Sequence, residues 1–178
     1  MAIAEARIFT WHDIQALPED GLRRELIGGQ LLVAPAPGLA HQRALGRLFR
    51  LIEDACSPTH EVVLAPFDLY ISEETYFQPD IMVIPRCSEA PQRFDGTPLL
   101  VVEVLSRSTR TTDLVTKRDA YARAGIVHYW IVDPEAPSVA ALALEGTTYV
   151  ERVSARGDGL CPIREPVVVD IVPHTLTG

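Results

Sequence analysis

Lysine is almost missing from this 178-residue sequence: 15 of its 16 basic side chains are Arg, and the single Lys stands at position 117. A composition that accepts Arg nearly everywhere yet keeps one compact, titratable ammonium marks that position as a candidate for chemistry. Cysteine is also scarce. Cys56, Cys87 and Cys161 are odd in number and far apart, which argues against a disulfide framework and leaves no close Cys or Cys/His pairing for structural zinc. A reducing compartment suits them. No run of about 18 apolar residues occurs, so no membrane-spanning helix is expected, and Glu5 and Arg7 sit where an apolar leader would lie. The expectation is a soluble, cytoplasmic protein. An excess of basic charge is missing too, because 24 acidic residues against 16 basic ones give a net charge of −8. That argues against a sequence-independent coat on nucleic acid, which needs clustered Lys and Arg, but leaves room for a local basic groove.

What is present is globular material. Hydrophobic residues make up 47% of the chain and charged ones 22%, enough for a buried core and too apolar for a disordered or low-complexity chain. The length fits one domain over residues 1–178, with no internal repeat or linker. Thr10 is placed to cap a short helix from Trp11 to about Leu17, closed by Pro18. RRELIGGQLLVAPAP reads as two strands around Gly28-Gly29, a pair suited to the positive dihedrals of a tight hairpin. From Leu39 to Cys56 the period is helical, with Leu45, Leu48, Phe49, Ile52 and Cys56 on one face, His41 towards it, and Arg43, Arg47 and Arg50 opposite. Residues 61–71 and 80–85 are strand-like, and residues 85–98 read as a polar loop. LLVVEVL, residues 99–105, is the most continuous apolar run and suits a central strand covered on both faces. A helix over 112–124 stops at Gly125. A strand over 127–133 follows, then strand-like pieces at 138–144, 147–153 and 167–172. This order predicts a mixed α/β (α+β) domain with a central mixed β-sheet flanked by helices.

Glu103 interrupts the apolar run. A lone carboxylate in a buried strand costs several kcal/mol, roughly, unless a cation or donors meet it. Strand alternation projects it with Leu99, Val101 and Leu105 near the C-terminal strand end, where sites are common. Either a salt bridge to one arginine or a functional site accounts for it. Asp80 opens the strand DIMVIP directly after Gln78-Pro79; alone it reads as a turn aspartate. Were the two strands neighbours, Asp80 and Glu103 would form a hard-oxygen site of the type Mg²⁺ accepts, with positions left for water and phosphate. Lys117 follows Glu103 by 14 positions, inside the next helix. Asp113, four residues before it, offers a plain intrahelical pair, and the near-absence of lysine elsewhere offers a chemical role.

Three stretches, QPDIMVIP, VVEVLSRSTRTTD leading to Lys117, and YARAGIVHYWIVDPE, resemble the Uma-two family of restriction endonuclease-like proteins, a branch of the PD-(D/E)XK nuclease superfamily. ELIGGQL and the His41 that begins the next helix are similar to that family's N-terminal signature, and the resemblance covers most of residues 10–135. It implies a restriction-endonuclease-like fold, with Asp80 and Glu103 as metal ligands joined by the backbone carbonyl of Val104, and with Lys117 at the site. Glu25 and His41 match family positions and are further candidates. The superfamily's usual lysine two residues after the glutamate is Leu105 here, so Lys117 takes that role. Gly28 stands where related chains carry Asp in the hairpin, a change of turn chemistry.

Tyr121, Tyr129 and Trp130 are expected in the core, and Ser106, Ser108 and Thr109 in turns and caps, with ligand or phosphate contacts as the alternative. His12, His60, His128 and His174 share no metal-ligand spacing, and Asp133 before Pro134 ends a strand. Residues 39–50 and 106–123 each carry a local charge of +3, whereas residues 53–95 carry −7, so basic charge gathers beside the candidate segments. The Arg43, Arg47 and Arg50 stripe is either a solvated face or a phosphate or subunit contact. The function expected is a Mg²⁺-dependent DNA endonuclease, with Mn²⁺ able to substitute, acting as a homodimer because cutting both strands needs two sites. The rivals are a catalytically idle nuclease fold used for protein or nucleic-acid binding, and a hydrolase of another phosphate ester on the same scaffold.

Overall fold

The computed structural model describes residues 8–18, 20–89, 91–106 and 110–178; Glu5, Arg7, Ser108 and Thr109 lie outside them. Helix α1 (Trp11–Gln15) starts at a reciprocal cap: the Asp13 N–H donates to Thr10 Oγ1 at 3.2 Å and the Thr10 N–H donates to Asp13 Oδ2 at 2.8 Å, which satisfies two donors a helix start leaves open. Gly28 and Gly29, at φ 57° and 76°, then turn β1 (Arg23–Ile27) onto β2 (Gln30–Ala34). Helix α2 (Leu39–Ala55) follows, with Ala44, Leu45, Leu48 and Ile52 buried on one face as its period requires.

The later strands are β3 (His60–Leu64), β4 (Asp68–Ser72), β5 (Thr75–Phe77), β6 (Ile81–Pro85), β7 (Arg93–Asp95), β8 (Leu100–Val104), β9 (His128–Asp133), β10 (Ser138–Glu145), β11 (Thr148–Arg156), β12 (Cys161–Ile163) and β13 (Val169–Ile171). A central six-stranded sheet has the order β11-β10-β9-β8-β6-β3, and a five-stranded sheet the order β2-β1-β5-β4-β7; β12 and β13 pair with each other. Strand β8 runs parallel to β9 and antiparallel to β6, so the sheet is mixed. The segment linking β8 to β9 carries a π-helical stretch (Thr112–Lys117) that continues into α3 (Arg118–Arg123).

Three local expectations differ from the structure. Residues 61–71 form two strands in different sheets, because Ala65-Pro66 lies between them and proline cannot continue the hydrogen-bond ladder. The loop over 85–98 contains the short strand β7, which pairs parallel to β4. The helix over 112–124 begins with a π-helical stretch, a feature frequent at functional sites.

Strand β8 is buried on both faces. Leu100, Val102 and Val104 pack with Leu48, Ile52 and Trp130 in the layer under α2, while Val101 packs with Phe77, Tyr121 and Tyr129 in the layer towards α3 and the smaller sheet. Glu103 therefore projects between the two sheets. Among the described residues no helix is long and apolar enough to cross a membrane. Leu48 is fully buried, so Leu48→Ala is expected to cost about 3 kcal/mol, read as a lower urea midpoint at unchanged denaturant slope.

Candidate functional site

Register brings the first two carboxylates together. Ile81 faces Val102 across the β6–β8 pair, so Asp80, just before Ile81, and Glu103, just after Val102, lie at adjoining strand positions. Both are buried, at 2% and 1% exposure. The Val104 N–H donates to Asp80 Oδ2 at 2.8 Å. Extended backbone presents a residue's N–H and C=O to the same edge, which puts the Val104 carbonyl on the β6 side as well.

The smaller sheet and the helical segment complete the cluster. Lys117 Nζ donates to Glu103 Oε1 at 3.0 Å and to Glu25 Oε1 at 2.9 Å, and lies 3.5 Å from Asp113 Oδ1. The intrahelical pair foreseen for Lys117 thus exists, but as one of three carboxylate contacts. Glu25 also accepts the Gln78 N–H at 2.7 Å. His41, buried in the otherwise exposed first turn of α2, has its Nε2 3.1 Å from Asp80 Oδ2. The structure thus brings together Glu25, His41, Asp80, Glu103, Val104 and Lys117. Ser106 lines a small cavity among these residues, and Tyr129 and Trp130 lie in the core.

Two participants were not foreseen from the sequence. Arg23 Nη1 donates to Asp80 Oδ1 at 2.9 Å, its Nη2 lies 4.0 Å from Glu103 Oε2, and Nη2 also donates to the Gln78 carbonyl. Nothing in a chain with 15 arginines singles it out. Tyr121 belongs to the core as expected, edge-on to Phe77 and Tyr129, but its hydroxyl also donates to Glu103 Oε1 at 2.6 Å. The nearest sequence signal was its place in the same amphipathic segment as Lys117, four residues on.

Burial and partners pull the carboxyls in opposite directions. Burial disfavours ionised Asp80, but the His41 hydrogen bond, the Arg23 charge and the Val104 N–H hold its pKa down at about 2. For Glu103, burial and the charges of Asp113 and Asp80 outweigh Lys117 and Arg23 and push the carboxyl up to about 8. Burial also opposes the Lys117 ammonium, yet Glu103, Glu25 and Asp113 overcome it and hold the lysine protonated far beyond neutral pH.

With every carboxyl ionised, Glu25, Asp80, Glu103 and Asp113 outnumber Arg23 and Lys117 by two charges, an excess that one divalent cation would balance. A cavity of about 20 Å³ among Arg23, His41, Asp80, Glu103, Val104 and Lys117 has room for roughly one water or ion. Among the described residues no three His, Cys, Asp or Glu side chains form a metal-holding group. Asp80, Glu103 and the Val104 carbonyl would offer two carboxylates and one main-chain oxygen, a set that suits Mg²⁺, an ion that takes one or two carboxylates and fills its shell with water or phosphate oxygens.

The model of the Uma2 family, described as "Putative restriction endonuclease", matches residues 11–167. The chain belongs to the Uma2 family. Among solved structures, a protein described as a "putative nuclease belonging to DUF820" from Anabaena variabilis ATCC 29413 matches with a TM-score of 0.70 at 20% identity, covering 88% of this chain and 89% of that one. That likeness shows a shared nuclease-like fold. No functionally curated protein matches the chain with significance.

For this Uma2 chain the raised Glu103 carboxyl has a definite thermodynamic sign. Between its ordinary pKa of 4.5 and the folded value of about 8, the folded state holds a proton the unfolded state has released, so this contribution to stability falls as pH rises through that window. The Asp80 contribution runs the other way and is confined to acid, lost as pH falls from 3.8 towards 2. Melting temperature measured in EDTA is therefore expected to drop from pH 5 to pH 9, and Glu103→Gln is expected to flatten that slope.

Proposed function

We propose that the protein is a Mg²⁺-dependent endonuclease that hydrolyses phosphodiester bonds in DNA, with Mn²⁺ able to substitute. The observation that carries this reading is a buried group of four carboxyls facing two fixed cations, around a cavity sized for one ion. Asp80, Glu103 and the Val104 carbonyl would hold the metal, which supplies Lewis-acid polarisation of a phosphate oxygen and a more acidic water.

The chain's own residues divide the remaining work. Lys117, held protonated by its three carboxylates, serves as a fixed positive charge facing the cavity, where negative charge develops on phosphate, and not as the base. Glu25 and Tyr121 position the Lys117–Glu103 pair through their hydrogen bonds. His41 does the same for Asp80. Arg23, whose side chain is 21% exposed, reaches from the buried carboxylates to the surface and can meet a phosphate with two N–H groups. Cutting both strands of a duplex needs two such sites, so the working form in this proposal is a cytoplasmic homodimer.

The rival of a catalytically idle nuclease fold draws on one observation: the Arg23 guanidinium already lies against both Asp80 and Glu103. Turnover separates the two readings. The wild-type protein is expected to nick supercoiled plasmid in millimolar Mg²⁺ and not in EDTA, with Asp80→Asn and Glu103→Gln at background. Lys117→Arg is expected to lose about 10²–10³-fold with an unchanged circular dichroism spectrum, because a broad guanidinium does not reproduce a compact ammonium among three carboxylates. Equal nicking by all four proteins would trace the activity to a contaminant and overturn the proposal.

A further inference from the structure

Next to the ion-sized cavity lies a larger one of about 440 Å³. Arg23, His41 and Asp80 line both, together with Ala34, Pro35 and Pro37, so the two spaces share a wall. The larger volume is within the range of sites for small organic groups, about 300–1,000 Å³, and far beyond a single ion. Its remaining walls are mainly apolar, including Leu22, Ala36, Leu45, Leu64 and Pro66. A charged phosphate backbone has no reason to enter such a space. A flat, largely apolar group attached to the phosphate does.

Polar groups stand at limited points on this wall. The Gln78 Nε2 donates to Asp68 Oδ1 at 2.9 Å; a carboxylate accepts only from the amide nitrogen, which fixes the orientation of the amide. Gln78 Oε1 is buried and has no hydrogen-bond partner among the described residues, and Gln42 adds a second amide. Apolar faces with a few amide groups, joined to a site that binds phosphate, match a nucleobase: every base has a π-face for apolar contact and an edge for hydrogen bonds.

We infer that this pocket takes one nucleobase next to the phosphate at the Asp80–Glu103 site. The inference rests on the phosphodiesterase reading and narrows its substrate to strands whose base at that position is unpaired, either single-stranded or turned out of the duplex. A paired base cannot enter, because its hydrogen-bonding edge and both faces are occupied in the stack. The prolines suit the role, since their rings are already fixed and lose little freedom on contact.

The test separates base from phosphate. Fluorescence anisotropy in Ca²⁺ would compare labelled dT12 with a 12-mer of tetrahydrofuran abasic sites, which has the same phosphates and no bases. The wild-type protein is expected to bind dT12 about tenfold more tightly, within the range of one stacked base. Ala36→Leu, and the double variant Ala36→Leu/Leu64→Phe, change exposed positions on the pocket wall and are expected to bring that ratio near one. Equal affinity of the wild type for the two strands, or a preference that survives both variants, would overturn the inference. Mg²⁺-dependent nicking without a base preference removes the pocket and keeps the nuclease. A base preference that the variants abolish, without nicking, does the reverse.

Discussion

One ammonium holds the centre of this molecule together. Lys117 contacts Glu25 on β1, Glu103 on β8 and Asp113 on its own helical segment, so a single buried charge joins the five-stranded sheet, the six-stranded sheet and the crossover between β8 and β9. Each of those carboxylates would be costly in the interior without a cation. The placement of three elements is therefore tied to one side chain. Neutralising that side chain would take a cation from three buried carboxylates at once, a larger penalty than the loss of a surface ion pair.

The π-helical stretch follows from the same requirement. Asp113 and Lys117 are both buried while Val115 between them is 56% exposed, the reverse of the usual preference for apolar residues inside. Local structure that turns a valine outwards and two charges inwards is sustained by the cluster the charges reach. The aromatic layer supports it from behind: the Tyr121 ring packs against Phe77 and Tyr129 while its hydroxyl fixes Glu103.

The parts legible in the sequence are those whose residue type was improbable for its setting. A glutamate in LLVVEVL and a sole lysine in an arginine-rich chain stood out against their surroundings, and the structure brings them to 3.0 Å. Asp80 was ordinary alone and gained meaning from register, which hydrophobic patterning cannot supply across 22 intervening residues. Arg23 was illegible because its residue type is common throughout, and its contact with Asp80 spans 57 positions. The three-residue strands β5, β7 and β12 are too short to carry an alternating pattern, whereas β13, equally short, sits in the apolar run 167–172 that marks it; β7 lies inside a stretch whose Pro and Gly signal a loop. Composition misleads in a related way: a net charge of −8 describes the whole chain, whereas the charge at the site is set by the local arrangement of Arg23, Lys117 and the carboxyls.

A structural salt-bridge network and a site awaiting a cation differ in their charge balance. Networks that serve stability pair each buried acid with a base, since an uncompensated charge in the interior costs more than the pair returns. Here two cations face four carboxyls, and the strain falls on Glu103, whose carboxyl is driven up to about 8 and so holds its proton at neutral pH. Hydrophobic residues of similar volume would remove that strain and stabilise the fold. Keeping it sacrifices stability at one place, beside a cavity with room for an ion and next to a pocket with room for a base, and costs of this kind cluster at functional sites. Arg23 reduces the excess but does not abolish it, and of the two cations it alone reaches the surface. In the proposed mechanism a guanidinium so placed would leave the carboxylates for a phosphate as a divalent ion takes over their charge, which an inert internal bridge would have no reason to permit.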